Sequence, residues 1–196
     1  MEDGLKAASL SVDALGFVFA SSPRRVEPDV AQKIIRTIPT PPLKVGVFVN
    51  EDPDEVSRVA EYCGLNVLQF HGGESPEYCQ LFSLPVIKAI RVKDLESLDD
   101  MERYPDATLL LDTYSSVKAG GTGNPFSWEI ALKAKEKRNF ILSGGLNQDN
   151  VGEAISKLRP WGVDVSSGVE MVPGKKDHLK VNEFVMEARK ADEKTR

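Results

Sequence analysis

Gly162-Val-Asp-Val-Ser-Ser-Gly-Val-Glu170 is the last apolar run before the C-terminal helix, and Phe140-Ile-Leu-Ser-Gly-Gly-Leu146 precedes it in similar form. Each run stops at small residues, whose backbone N–H groups no side chain obstructs. Two neighbouring loops of this kind make a cradle for an anion, and a following helix N-terminus adds partial positive charge. Such a pair after the last two strands of a β/α barrel is the usual phosphate site of that fold. The two runs therefore predict a barrel that binds a phosphorylated small molecule.

Short apolar runs alternate with amphipathic stretches along the rest of the chain, beginning with a helix predicted at residues 2–10 and ending with one at 177–194. This alternation predicts parallel strands joined by crossover helices. Because no linker, repeat or low-complexity tract interrupts it, we expect one α/β domain over residues 1–196. Strands are predicted at residues 13–19, 44–49, 66–71, 85–90, 108–112, 140–143 and 163–166.

Two architectures fit this order, an open doubly wound sheet and a closed barrel. Polar residues sit at alternate positions inside the predicted strands, for example Gln69 and His71. Such residues suit the upper layer of a barrel, where they line a site. The sequence also lacks the Gly-x-Gly-x-x-Gly pattern of a dinucleotide fold. We therefore expect a TIM (β/α)8 barrel, of which only seven of the eight strands are evident.

Composition excludes several functional classes. Hydrophobic residues make up 41% and charged residues 28%, as in ordinary soluble proteins. The net charge of −5, without a basic run, argues against a nucleic-acid surface. The acidic start does not resemble a signal peptide, and no segment approaches the length of a membrane span, so we expect a cytoplasmic protein. The two cysteines and two histidines lack metal-ligand spacing, so a metal is not expected.

Asp112 is the first candidate for chemistry, because it ends the strongly apolar run Leu109-Leu-Leu-Asp112. A carboxyl group at that end of a barrel strand faces the site, and partial desolvation favours the protonated form that a general acid needs. The alternative is that Asp112 caps the following turn. A glycine-rich stretch, residues 119–123, comes soon after and would allow close approach of the backbone to a ligand.

Other polar residues at predicted strand ends allow more than one interpretation. Arg24 and Arg25 follow the first strand. An arginine there can hold the carboxylate of a substrate with two hydrogen bonds, and the alternative is that both arginines are solvated surface residues. His71 could act as a base, contact a ligand or be a satisfied core histidine. Lys88 suggests a Schiff base or an interior ion pair, and we favour the ion pair, with a carboxylate such as Asp164.

Eight motifs follow one another at a characteristic spacing. They are Gly16-Phe-Val-Phe19 with Ser22-Pro-Arg-Arg25, Val45-Gly-Val-Phe-Val-Asn50, Leu68-Gln-Phe-His-Gly72, Val86-Ile-Lys-Ala89, Leu110-Leu-Asp112, Gly120-Gly-Thr-Gly123, Leu142-Ser-Gly-Gly-Leu146 and Val163-Asp-Val-Ser-Ser-Gly-Val-Glu170. Together they resemble the phosphoribosylanthranilate isomerase family of tryptophan biosynthesis, over about residues 2–190. A sugar-phosphate isomerase of histidine biosynthesis is a weaker alternative, because that barrel is usually longer and internally repeated.

The resemblance implies a single-domain barrel without a cofactor and a phosphoribosyl small molecule as substrate. The family converts N-(5-phosphoribosyl)anthranilate into 1-(2-carboxyphenylamino)-1-deoxyribulose 5-phosphate, an Amadori rearrangement. By resemblance Asp112 is the general acid, and Arg24 holds the anthranilate carboxylate, a role that Arg25 is expected to lack. The implied substrate-binding residues are Arg24, His71, Gly121 and Asp164, and the implied phosphate-binding residues are Gly144, Gly145, Ser167 and Gly168.

The sequence departs from the family at its start. The family begins with a strand that carries a cysteine general base, and we expect this chain to be truncated by roughly a strand and its loop. Cys63 and Cys79 match helical positions outside the barrel, so neither replaces that cysteine. Three explanations stay open: a misplaced start of an ordinary enzyme, a catalytically impaired phosphosugar-binding relative, or a subunit that takes a first strand from another chain. A monomer or homodimer, with strand donation or swapping, is expected.

Overall fold

A seven-stranded parallel sheet forms the centre of the protein, for which a computed structural model describes residues 1–113 and 128–195. The strands pair in chain order, and six of them lie within two residues of their predicted bounds. The seventh is shorter than predicted, because the chain leaves the sheet before Asp164. The strands are β1 (Ala14–Val18), β2 (Leu43–Phe48), β3 (Val67–Phe70), β4 (Val86–Val92), β5 (Thr108–Thr113), β6 (Ile141–Ser143) and β7 (Gly162–Val163).

Helices connect these strands and cover the outside of the sheet. Asp52 accepts a hydrogen bond from the backbone N–H of Asp54 and so caps the third helix, which Gly64 ends in the left-handed conformation. A 3-10 helix, Glu96–Arg103, links β4 to β5. The α-helices are α1 (Glu2–Ser9), α2 (Pro28–Thr37), α3 (Pro53–Cys63), α4 (Pro76–Cys79), α5 (Trp128–Lys137), α6 (Val151–Leu158) and α7 (His178–Thr195).

The hydrophobic core lies between the sheet and the helices and continues into the interior of the curled sheet. In β5 the consecutive residues Leu109, Leu110 and Leu111 are all buried, as expected for a parallel strand covered on both faces. Phe48 and Phe70 are also buried and pack with their rings tilted, 6.4 Å between centroids. Burial of these side chains fixes the strand ends, and with them the polar residues that follow.

The two edges of the sheet are β1 and β7, and no strand lies between them within residues 1–113 and 128–195. Hydrogen bonds join the first helix, α1, to the last helix, α7, and to the residues just before it. Asp3 of α1 accepts hydrogen bonds from the backbone of Lys176 and from His178 of α7. An antiparallel hairpin that the sequence patterns do not predict, β8 (Glu170–Val172) and β9 (Lys175–Lys176), follows β7 on the same side of the molecule.

Candidate active site

Four polar side chains lie close together at the carboxyl ends of β3, β5, β6 and β7. His71 follows β3, Asp112 belongs to β5, Ser143 ends β6 and Asp164 follows β7. Asp112 and Ser143 are aligned across neighbouring strands, so they lie in one layer of the sheet. His71 Nε2 lies 3.0 Å from Asp112 Oδ2, and the Ser143 hydroxyl donates to Asp164 Oδ2 at 2.7 Å. The structure thus brings together three residues predicted from sequence: His71, Asp112 and Asp164.

The pKa of Asp164 is raised above the ordinary value of an aspartate. Desolvation is the main cause, because burial disfavours the charged carboxylate, and the nearby negative charge of Asp112 acts in the same direction. The hydrogen bond from Ser143 and the positive charge of Lys176 oppose the shift without cancelling it. A carboxyl group in such surroundings holds its proton to higher pH than an exposed aspartate.

Arg24 lies on the loop after β1, at the same end of the sheet, and its side chain already forms an ion pair. Its Nε and Nη2 atoms donate to the two carboxylate oxygens of Glu170 at 2.8 Å and 2.6 Å. Burial opposes ionisation of Glu170, but the hydrogen bonds from Arg24 and the charge of Lys176 outweigh it and lower the pKa of Glu170. Arg25, in contrast, forms an ion pair with Glu27 in which both side chains are exposed.

The two glycine-rich loops are in contact, as the sequence predicts for a cradle. Gly144 and Gly145 both adopt positive φ, +86° and +66°, a conformation that side chains rarely tolerate. Gly168 packs so tightly on the other loop that a Cβ atom there would overlap the carbonyl oxygen of Leu146. Ser167 is exposed beside it. The predicted phosphate-binding residues therefore lie on two loops that contact each other, with Gly145 and Ser167 exposed.

Lys88 forms a buried ion pair, but its partner is Glu74, so the predicted pairing with Asp164 is wrong. The Lys88 ammonium lies 2.9 Å from Glu74 Oε2 and also donates to the carbonyl oxygen of Gly72 at 2.7 Å. Asp164 instead accepts from Ser143. The pair therefore anchors the loop that follows His71, and the amine is fully used as a hydrogen-bond donor in that role.

Several site residues were not predicted from the sequence. Glu170 is the last residue of the run that defines the fold, yet only the folded chain brings it to Arg24. Gln69, which the alternation of polar residues in the sequence did indicate, lies two residues before His71, a spacing that places both side chains on the same face of the extended chain. Gly121, predicted to bind substrate, lies outside the described residues, as does the rest of the 119–123 stretch. The unpredicted residues are Glu74, Ser143, Glu170 and Lys176.

The cysteines lie where the sequence places them, on helices. Cys63 belongs to α3 and Cys79 to α4, both are buried, and desolvation raises the pKa of each thiol. Within the described ranges no three histidine, cysteine or carboxylate side chains cluster as metal ligands would. In the same ranges no helix combines the length and hydropathy needed to cross a bilayer.

Comparison with known proteins gives a consistent result. The family model described as N-(5'phosphoribosyl)anthranilate (PRA) isomerase matches residues 1–187. A protein of Geobacter sp. (strain M21) named N-(5'-phosphoribosyl)anthranilate isomerase is 49% identical over 97% of this chain and 94% of its own length. One of the same name from Desulforudis audaxviator is 51% identical, with 94% and 91% covered.

Solved structures agree with the sequence comparisons. The phosphoribosyl anthranilate isomerase of Thermotoga maritima superposes with a TM-score of 0.89 at 40% identity, covering 96% of this chain and 94% of that one. A second structure holds reduced 1-(o-carboxyphenylamino)-1-deoxyribulose 5-phosphate, and it superposes with a TM-score of 0.87 at 39% identity, with 96% and 93% covered. A third is of monomers generated from the dimeric Thermotoga maritima enzyme, at 38% identity, a TM-score of 0.86 and coverage of 96% and 93%.

Proposed function

This chain belongs to the N-(5'-phosphoribosyl)anthranilate isomerase family, and from that premise we propose how its own side chains carry out the reaction. The protein is an isomerase of tryptophan biosynthesis that rearranges N-(5-phosphoribosyl)anthranilate to 1-(2-carboxyphenylamino)-1-deoxyribulose 5-phosphate. In the proposal Asp112 is the general acid, Arg24 binds the anthranilate carboxylate and the two glycine-rich loops bind the phosphate.

The observation that carries the proposal is the place of Asp112 in the layer of polar groups at the strand ends. It lies beside His71 on one side and Ser143 on the other, at the same end of the sheet as Arg24 and the glycine-rich loops. A substrate with a carboxylate at one end and a phosphate at the other presents its sugar ring between those two anion sites. A carboxyl group at that point can reach the ring oxygen.

The chemistry is a sequence of proton transfers and needs no cofactor. Asp112 gives its proton to the furanose ring oxygen, the C1–O bond breaks, and the nitrogen lone pair forms a C1=N iminium. A general base, a role that we assign to none of the described residues, then takes the C2 proton and leaves the enolamine, which tautomerises to the ketose product. Asp112 ends the first step as a carboxylate, and the hydrogen bond to His71 stabilises that charge.

Substrate binding divides between charged side chains and backbone. Nε and Nη2 of Arg24 donate hydrogen bonds to Glu170. The third nitrogen, Nη1, is therefore the one proposed to donate to the substrate carboxylate. Backbone N–H groups bind the phosphate, and no side chain competes with it there. His71, Asp164 and Gly121 are also proposed to bind the substrate. The phosphate-binding residues are Gly144, Gly145, Ser167 and Gly168.

Assembly and location are also proposed. Among the described residues β1 and β7 each pair with only one neighbouring strand, and such edges favour addition of a strand from another chain. We therefore propose a monomer or homodimer that can accept such a strand, and a cytoplasmic location among the other enzymes of amino-acid biosynthesis. Light scattering after gel filtration, with and without an added strand peptide, distinguishes the two states from a swapped assembly.

The test of the function follows loss of the anthranilate fluorescence of the substrate with the purified chain. Turnover by the unmodified protein supports the isomerase proposal, and Asp112→Asn should then abolish it while product still binds. Asp106→Asn is the matched control, because Asp106 is exposed just before β5, at its opposite end. Near-normal turnover by Asp112→Asn removes Asp112 from the acid role. Binding without turnover in the unmodified protein supports the phosphosugar-binding alternative instead.

A further inference from the structure

Gln69 is the inner end of a line of hydrogen bonds that runs through His71 to Asp112. Its side-chain Nε2 lies 3.2 Å from His71 Nδ1, and His71 Nε2 lies 3.0 Å from Asp112 Oδ2. Gln69 is 8% exposed, whereas the side chains of His71 and Asp112 are 21% and 24% exposed. This chain of hydrogen bonds therefore begins in the core and ends at the carboxyl end of the sheet, where substrate is proposed to bind.

The chemistry of the three groups gives the line a direction. A neutral imidazole has one N–H donor and one bare nitrogen that accepts. The amide nitrogen of Gln69 faces Nδ1 of His71 and can only donate, so in this orientation of the amide Nδ1 is the acceptor and the ring hydrogen sits on Nε2. Nε2–H then donates to Asp112. In the other tautomer two donors would meet at Gln69, and a bare nitrogen would face the carboxylate.

We propose that Gln69 is a positioning residue that holds His71 in the Nε2–H tautomer, so that His71 orients Asp112 for proton transfer. This inference rests on the proposed function for the role of Asp112, but the tautomer itself does not. Oδ2 of Asp112 accepts from His71 throughout, and Oδ1 carries the proton that passes to the ring oxygen. When that proton leaves, the His71 bond becomes charge-assisted and stabilises the new carboxylate.

The test combines a spectroscopic readout with kinetics. The chain has only two histidines, so ¹⁵N-labelled imidazole signals can be assigned to His71 by comparison with His178→Gln. We expect Nε2–H in the unmodified protein. Gln69→Met, which has similar volume but no donor, should lose that preference and lower kcat about 10- to 100-fold with little change in KM, part of what general acid catalysis supplies.

A second variant and a control complete the design. Gln69→Glu places an acceptor at Nδ1 and should convert His71 to the Nδ1–H or doubly protonated form, with a shifted pH profile of kcat. Gln80→Met changes an exposed glutamine just after α4 and should leave both readouts unchanged.

Three results would each overturn the inference. The first is Nδ1–H in the unmodified protein, which is informative even if the variants fail to fold. The second is an unchanged tautomer in Gln69→Met, and the third is an altered tautomer with unchanged kcat. Failure of the proposed function is distinguishable, because it appears as full turnover by Asp112→Asn or none by the unmodified protein, whatever the tautomer.

Discussion

Arg24 and Glu170, 146 residues apart in the chain, form a two-point ion pair that joins the loop after β1 to the hairpin after the second glycine-rich loop. The Glu170 side chain is 5% exposed, whereas that of Arg24 is 29% exposed. Glu170 is thus the buried member of the ion pair, and the guanidinium of Arg24 is the member that solvent can reach. The residue proposed to bind the substrate carboxylate is therefore held by the segment that follows the phosphate loop.

Replacing Arg24 with alanine is expected to raise KM about 10- to 100-fold and to change kcat less. The physical reason is the loss of a hydrogen bond between charged groups, which contributes about 1.5–3 kcal/mol. Arg25→Ala is the matched control, because Arg25 is the next residue and pairs only with exposed Glu27. Steady-state kinetics of both variants make the measurement, and equal KM values would contradict the assignment.

The same change removes a partner from buried Glu170, so stability has to be measured alongside. Lys176 remains 3.3 Å from Glu170 and limits the destabilisation of Arg24→Ala. The double variant with Glu170→Gln is expected to recover the melting temperature but not KM. That pattern separates a binding role of Arg24 from a purely structural one.

Much of the fold was predictable, because buried parallel strands appear in the sequence as continuous apolar runs between capping signals. Leu109, Leu110 and Leu111 identify β5 in this way, and Asp52 with Gly64 brackets α3. The loop after β6 was predictable for a related reason. Positive φ at Gly144 and Gly145 favours glycine at those positions, so the turn is visible in the sequence.

Side-chain pairing was the part that the sequence did not predict. Lys88 pairs with Glu74 because the chain turns back at residues 72–73 and brings that carboxylate beneath β4. Asp164 was an equally good candidate by residue type, but it turns to Ser143 on the neighbouring strand. Glu74 and Asp164 are both carboxylates in segments that follow a strand. Only the folded arrangement decides which of them meets Lys88.

Gly168→Ala is expected to weaken inhibition by inorganic phosphate at least about tenfold, roughly the loss of one hydrogen bond to a charged group. A Cβ at this position overlaps the carbonyl oxygen of Leu146, and backbone does not yield as a side chain can. Gly152→Ala is the control, because its Cβ would lie 3.9 Å from the nearest atoms and within α6. Inhibition constants that are the same in both variants would disprove the cradle.

Lys88→Met is expected to lower the free energy of unfolding by about 3–5 kcal/mol, since it leaves Glu74 buried without its counter-ion. Adding Glu74→Gln should recover part of that loss, because the amide oxygen can still accept from the backbone of Asn50 and Gly72. Lys133→Met breaks an exposed pair with Glu136 and should cost less than about 1 kcal/mol. Urea denaturation compares the three, and a small loss in Lys88→Met would refute the buried-pair account.

Asp164→Asn is expected to stabilise the protein near neutral pH while it lowers turnover. Because burial raises the pKa of Asp164 in the folded state, the native protein holds a proton that the unfolded chain releases from about pH 4 upward. The unmodified protein therefore loses stability as pH rises from that value to the raised pKa. Asparagine removes this loss and can still accept the Ser143 hydrogen bond through its amide oxygen.

The measurement for Asp164 is thermal unfolding of the two proteins at several values between pH 3 and pH 8. The advantage of Asp164→Asn should be largest at the alkaline end and should shrink toward pH 3. Asp106→Asn, at an exposed position, is expected to change the melting temperature little at any pH. A difference that does not depend on pH would mean that Asp164 holds its proton equally in the folded and unfolded states, and its raised pKa would be wrong.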